Sequence, residues 1–106
     1  MSTVTTAIDS PKSLVFSITD MHLVSFQYNG CRRVVEPHCL GRSRSGALLL
    51  RAYQVEGSST SGPIPGWRLF KCEGLRNLEV LARQFTRPRP DYKSGDSAMT
   101  SIYAEL

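Results

Sequence analysis

Arg33, Arg51 and Arg68 each fall in a short apolar run with strand-like character. A guanidinium presents its N–H donors as a planar fork that fits phosphate or carboxylate through two bonds at once. Carried on neighbouring strands and on one face, three such forks would converge on an anion. Tyr53 stands two residues beyond Arg51 in GALLLRAYQ, so a strand would point both to one side. There its ring could stack a base or its hydroxyl could hold a ligand. These four residues are the candidate ligand-binding set. The competing expectation is that the arginines are separately solvated, or paired with Glu36, Glu56 and Glu73.

Other chemistry is thinner. His38 beside Cys39 suggests a Cys–His nucleophile, but neighbours on a regular strand point to opposite faces. His38 is kept as a secondary ligand-binding candidate. No GxSxG, phosphate-binding P-loop or HExxH motif is present. Three cysteines, Cys31, Cys39 and Cys72, with no CxxC pair argue against a disulfide framework and a zinc site. They read as reduced thiols of a cytoplasmic protein. Trp67 follows Pro65–Gly66 and reads as a core anchor rather than a ligand platform.

Thirteen Lys and Arg oppose nine Asp and Glu, a formal charge of +4, and ten of the thirteen are Arg. That balance suits an anionic ligand but is modest for a dedicated nucleic-acid binder. The start, MSTVTTAIDSPK, has no basic stretch followed by a long apolar one, so no secretory leader is expected. No apolar run approaches the ~20 residues of a membrane span.

The elements follow from pattern. Residues 1–9 read as a loose arm. Ser10 as a cap and Pro11 in the first turn predict a short helix over about 11–20, with Leu14, Val15 and Ile18 on one face. From Met21 the period changes to two, and Val24, Phe26 and Tyr28 form one side of a strand. Asn29–Gly30 predicts a tight hairpin. CRRVVEPHCLG returns, with Pro37 demanding an edge, a bulge or a bend. GRSRSG, which holds Arg42 and Arg44, is a turn by composition, and GALLLRAYQVEG is a third strand. SSTSGPIPG is a loop before a fourth strand, WRLFKCEG. Residues 75–85 fit either a fifth strand, favoured over 77–81, or a helix. TRPRPDYKSGD cannot be regular structure. Its basic residues and Tyr92 suggest either a nucleic-acid contact or a segment packed back across the domain, and the second is the expectation. Asp96 could cap a final short helix carrying Met99, Ile102 and Tyr103.

In this order the motifs resemble the WYL domain, an Sm-like barrel of bacterial transcription regulators. The resemblance spans about Ile18 to Leu81. It rests on Tyr28 ending the first strand, on Arg33-Val34-Val35-Glu36-Pro37, and on Gly46 before the Leu48-Leu49-Leu50 strand. The last element is Arg68-Leu69-Phe70. The Trp and Tyr of the family name are both leucine here, and Gly74 stands where the family has a second arginine, with Arg76 two residues on. The resemblance implies ligand sensing, with nucleotides or single-stranded nucleic acid as candidate ligands, and adds Tyr28 and Arg76 as secondary positions.

The expected fold is therefore mainly β, a five-stranded SH3/Sm-like barrel over 10–85 with a short N-terminal helix and a Pro/Arg-rich extension over 86–106. The expected function is non-catalytic, a regulatory module for an anionic ligand, with no cofactor and no metal. The alternative is a protein-interaction or homodimerisation module.

Overall fold

Asn29 and Gly30 both take positive φ, 51° and 75°, the pair of left-handed conformations that lets a two-residue turn follow the twist of its strands. They join strand β1 (His22–Tyr28) to β2 (Cys31–Arg42). The protein is seen as a computed structural model that describes residues 6–59 and 62–106, with side chains from Pro11 onward. Helix α1 (Thr6–Thr19) leads. Strands β3 (Leu48–Gly57), β4 (Gly66–Lys71), β5 (Arg76–Gln84) and β6 (Ser101–Glu105) follow the hairpin, with a 3-10 turn at Cys72–Gly74. The fold is mainly β, one helix and a six-stranded antiparallel sheet whose path runs β4-β3-β2-β1-β5, with β6 on β2. No helix among the described residues is long and apolar enough to cross a membrane.

Three expectations are corrected, and the strand favoured over 77–81 is present with longer bounds. The helix does not start at Pro11: Thr6 already lies in it, and Pro11 is interior. Pro11 has no N–H to give the carbonyl of Ala7; complete burial of Leu14 and Ile18 supplies the packing that holds the helix. The arm expected over 1–9 is helical from Thr6; residues 1–5 lie outside the described residues, as do Thr60 and Ser61 of the loop. Residues 76–84 form a strand longer than expected and no helix. The C-terminal helix is absent, because the second half of β2 offers an open edge that β6 takes, Leu40 opposite Ala104 and Gly41 opposite Ile102. Asp96 caps a single turn, its Oδ1 accepting from Ala98 N–H at 2.9 Å. Gly41 permits the pairing, since a Cβ there would overlap the Ser101 carbonyl oxygen.

Pro37 is accommodated by position. Along one edge of β2, pairing with β1 ends at Val35 and pairing with β6 begins at Cys39. Among the described residues no strand lies alongside Pro37 there, so its missing donor costs no ladder bond. On the other edge the register slips between Pro37 and Cys39, leaving His38 as the extra residue of a bulge.

The sheet is covered on both faces. On one, Leu14 and Ile18 of α1 join Val24, Phe26, Val35, Leu50 and Phe70 in the main core, where Phe26 and Tyr28 meet Phe70 edge-on, each at 4.9 Å. The other carries two smaller clusters, around Leu23, Val34 and Phe85, and around Cys39, Leu49 and Met99. Gly57 ends β3 at φ 98°, where a Cβ would overlap the Arg32 carbonyl oxygen. Gly57→Ala is expected to cost at least about 1 kcal/mol. Urea unfolding should show it as a lower midpoint at unchanged slope; an unmoved midpoint would refute the close approach.

Candidate functional site

The candidate arginines do not converge. In the β2–β3 register Arg33 stands opposite Gly57, whereas Arg51 stands opposite Cys39. The two levels are six residues apart along β2, roughly 20 Å at the strand rise. Arg68 pairs with Ala52, and so lies on the opposite face from Arg51.

Each arginine also has local work. Arg33 is 3% exposed; its Nη1 donates to Gln54 Oε1 at 3.2 Å and its Nη2 to the Tyr28 carbonyl at 3.1 Å. Its guanidinium lies 5.6 Å from the Tyr28 ring and 5.7 Å from Phe70. Arg51 Nε donates to Asp96 Oδ2 at 2.7 Å. Arg68 donates to the carbonyls of Trp67 at 2.9 Å and Pro63 at 2.6 Å, holding the loop that precedes β4. Among the described residues the Nε atoms of Arg33 and Arg68 have no hydrogen-bond partner. Arg76 donates to the Glu73 carbonyl at 2.8 Å. Tyr28 accepts the Lys71 N–H on its hydroxyl at 3.2 Å, and its ring lies 2.9 Å from where a Gly74 Cβ would be. A side chain at position 74 would therefore meet the Tyr28 ring.

What the tertiary structure assembles instead is a strap. After β5 the Pro/Arg segment runs back across the face that carries Glu36, His38, Tyr53 and Trp67. Arg89 grips Glu36 through two bonds, Nε to Oε1 at 2.8 Å and Nη2 to Oε2 at 2.9 Å. The same guanidinium lies 4.1 Å from the Tyr53 ring centroid, so Tyr53 stacks an arginine of its own chain. Trp67 Nε1 donates to Asp91 Oδ2 at 2.9 Å. The Glu36 bonds hold Arg89 more firmly protonated, and the Arg51 bond holds the Asp96 carboxyl below its ordinary range.

His38 is the hub. It is fully buried, stacked on Phe85 at 5.5 Å and flanked by Trp67 at 4.8 Å and Tyr92 at 4.9 Å. Its Nδ1 lies 2.9 Å from the Glu36 carbonyl, which can only accept, so Nδ1 carries the proton. Nε2 then accepts the Arg89 N–H at 3.1 Å, and both nitrogens of a neutral ring are satisfied. Burial lowers the affinity of His38 for a second proton, outweighing the Glu36 carbonyl and carboxylate that raise it. The bulge puts His38 and Cys39 next to each other without pairing them. Cys39 Sγ donates to Met99 Sδ at 3.5 Å, and burial, with Asp96 nearby, pushes its thiol up to about 11. Burial likewise pushes Cys72 up to about 12. Both are held as thiols, the unreactive form.

Beside the strap lies a groove of about 620 Å³. Leu23 and Phe85, both largely buried, and Val55 supply its apolar lining; Arg83, Arg87, Arg89 and Glu36 supply its charge. Arg89 is committed to Glu36. Arg83 meets Glu56 at 2.8 Å, but the side chains are 57% and 50% exposed, and such a pair is weak. Arg87 is exposed and unpaired among the described residues. The groove thus offers two available cations over an apolar base. Neither Arg83 nor Arg87 belonged to the expected binding set; their only signal was the density of Arg around Pro88 and Pro90. Among the described residues no three His, Cys, Asp or Glu side chains are placed to hold a metal ion.

The fold and this face define a mainly β protein with a strapped, aromatic-centred sheet face and a basic groove. Comparison with protein-family models, with curated proteins and with solved structures finds no match.

Proposed function

We propose that the protein is a non-catalytic, WYL-like module that binds a nucleotide or a short single-stranded nucleic acid, and that the ligand lies in the strap groove. The observation that carries this reading is the groove's lining, an apolar base with three arginines against one glutamate. Its volume is in the range of small-molecule sites. An apolar base suits a nucleobase, and guanidinium groups at Arg83 and Arg87 suit phosphate. The strand path supports an Sm-like barrel: β5 returns to β1, so only a β4–β5 seam would remain to be closed. By that resemblance ligand binding is a regulatory signal in a bacterial cytoplasm.

Fluorescence anisotropy of the full chain with a labelled single-stranded oligonucleotide tests this. With two phosphates contacted, raising salt from about 50 to about 200 mM should weaken binding about sevenfold. Arg83→Ala with Arg87→Ala should cost about tenfold or more, while Arg51→Ala should change affinity less than about twofold. Absence of binding at low salt, or binding indifferent to the double substitution, rejects the proposal.

A further inference from the structure

Phe16 and Tyr103 are 49% and 52% exposed, the largest values among the exposed large apolar side chains. One such residue on a surface is ordinary. These two come from different elements, α1 and β6, and line the same groove of about 370 Å³ with Pro11 and Val15. The described residues around it carry charge of one sign. Lys12 lines it, and the Arg42 guanidinium lies 5.9 Å from the Tyr103 ring, with Nε donating to the Tyr103 hydroxyl at 2.9 Å. Among the described residues no carboxylate is in its lining.

We infer that this groove docks an acidic, amphipathic segment of another protein. An apolar side chain of that segment enters between Phe16 and Tyr103, and its carboxylates meet Lys12 and Arg42. The apolar anchor supplies most of the affinity, while the rim charges set orientation and association rate. A second copy of this chain fits poorly. A two-fold interface lays a patch on itself, which would set Lys12 and Arg42 against their own kind in a chain already at +4. The groove shares no lining residue with the strap groove, so the two proposals stand or fall separately.

A random-peptide display library selected on the full chain tests the inference, with the affinity of an enriched peptide then measured by anisotropy. Enriched peptides should combine Asp or Glu with a large apolar residue. Tyr103→Ser and Phe16→Ser should each weaken binding by about tenfold or more. Lys12→Glu with Arg42→Glu, which keeps the apolar lining, should abolish the preference for acidic peptides. Phe16 also stacks on His22 at 5.2 Å, so Tyr103→Ser keeps the test decisive if Phe16→Ser does not fold. Failure to enrich any peptide, enrichment without acidic residues, or affinity indifferent to Tyr103→Ser each overturns the inference. So does a dimer, seen by light scattering, that Tyr103→Ser dissociates, because that assigns the groove to a second copy.

Discussion

Truncating Phe70 to alanine is expected to lower the free energy of unfolding by about 3–5 kcal/mol. Phe70 is 1% exposed and sits on β4, near the end of the strand path, yet it joins residues from three strands. Phe26 and Tyr28 of β1 meet its ring edge-on, Leu50 of β3 stands opposite it, and the Arg33 guanidinium of β2 lies 5.7 Å from it. Removing the ring leaves a cavity between strands tied into one sheet, which cannot readily collapse. It also withdraws one of the two rings beside a buried cation, which adds to the transfer and cavity terms. Against a total of roughly 5–15 kcal/mol for a domain, such a loss would leave little margin. Phe70→Leu retains most of the volume and should cost well under half as much. Urea unfolding of both variants checks this. A loss below about 1 kcal/mol for Phe70→Ala would mean that the core does not centre on this ring.

Acidification below pH 6.5, the ordinary His value, is expected to destabilise the protein through His38. Above that pH the ring is neutral folded and unfolded, and stability does not depend on it. As the pH falls, the unfolded chain takes up a proton that the folded chain refuses, because its pKa is lowered. Stability then declines by up to about 1.4 kcal/mol per pH unit, until the folded pKa is reached. A proton on Nε2 would face the Arg89 N–H and guanidinium, relieved only by Glu36 and Asp91. Asp96 acts later. Its folded pKa is lowered from 3.8, so its contribution is present above that value and lost as the pH falls below it. His38→Phe keeps a stacking ring but removes the titration. It also loses the acceptor for Arg89, so it will be less stable throughout, and the slope rather than the level is the readout. His22 is unchanged in the two proteins and cancels. Equal slopes below pH 6.5 in wild type and His38→Phe would contradict the buried neutral histidine.

Much of this molecule is legible in the chain itself, where the cause is local. Asn29–Gly30 specifies its turn because both positions tolerate positive φ. The alternation around Phe26 specifies a strand with a buried side, and the leucines of GALLLRAYQ specify a core strand. Pro37 specifies a break in the ladder, since proline has no N–H. The Pro/Arg segment packs back across the domain for a similar reason, extended backbone with no regular structure of its own. Which side chains meet across strands is set by long-range register. Arg33, Arg51 and Arg68 have the residue type and spacing of an anion site, but a pairing level six residues away separates Arg33 from Arg51, and the opposite face separates Arg68 from it. His38 and Cys39 were expected on opposite faces, and one bulge residue overrides that rule. SIYAEL carries a helical spacing that an unpaired edge on β2 converts to a strand. Local chemistry therefore determined the turns, the strand runs and the breaks. Only the tertiary structure decided which side chains share a face, because the direction of every side chain on a strand depends on a register that no short stretch of sequence contains.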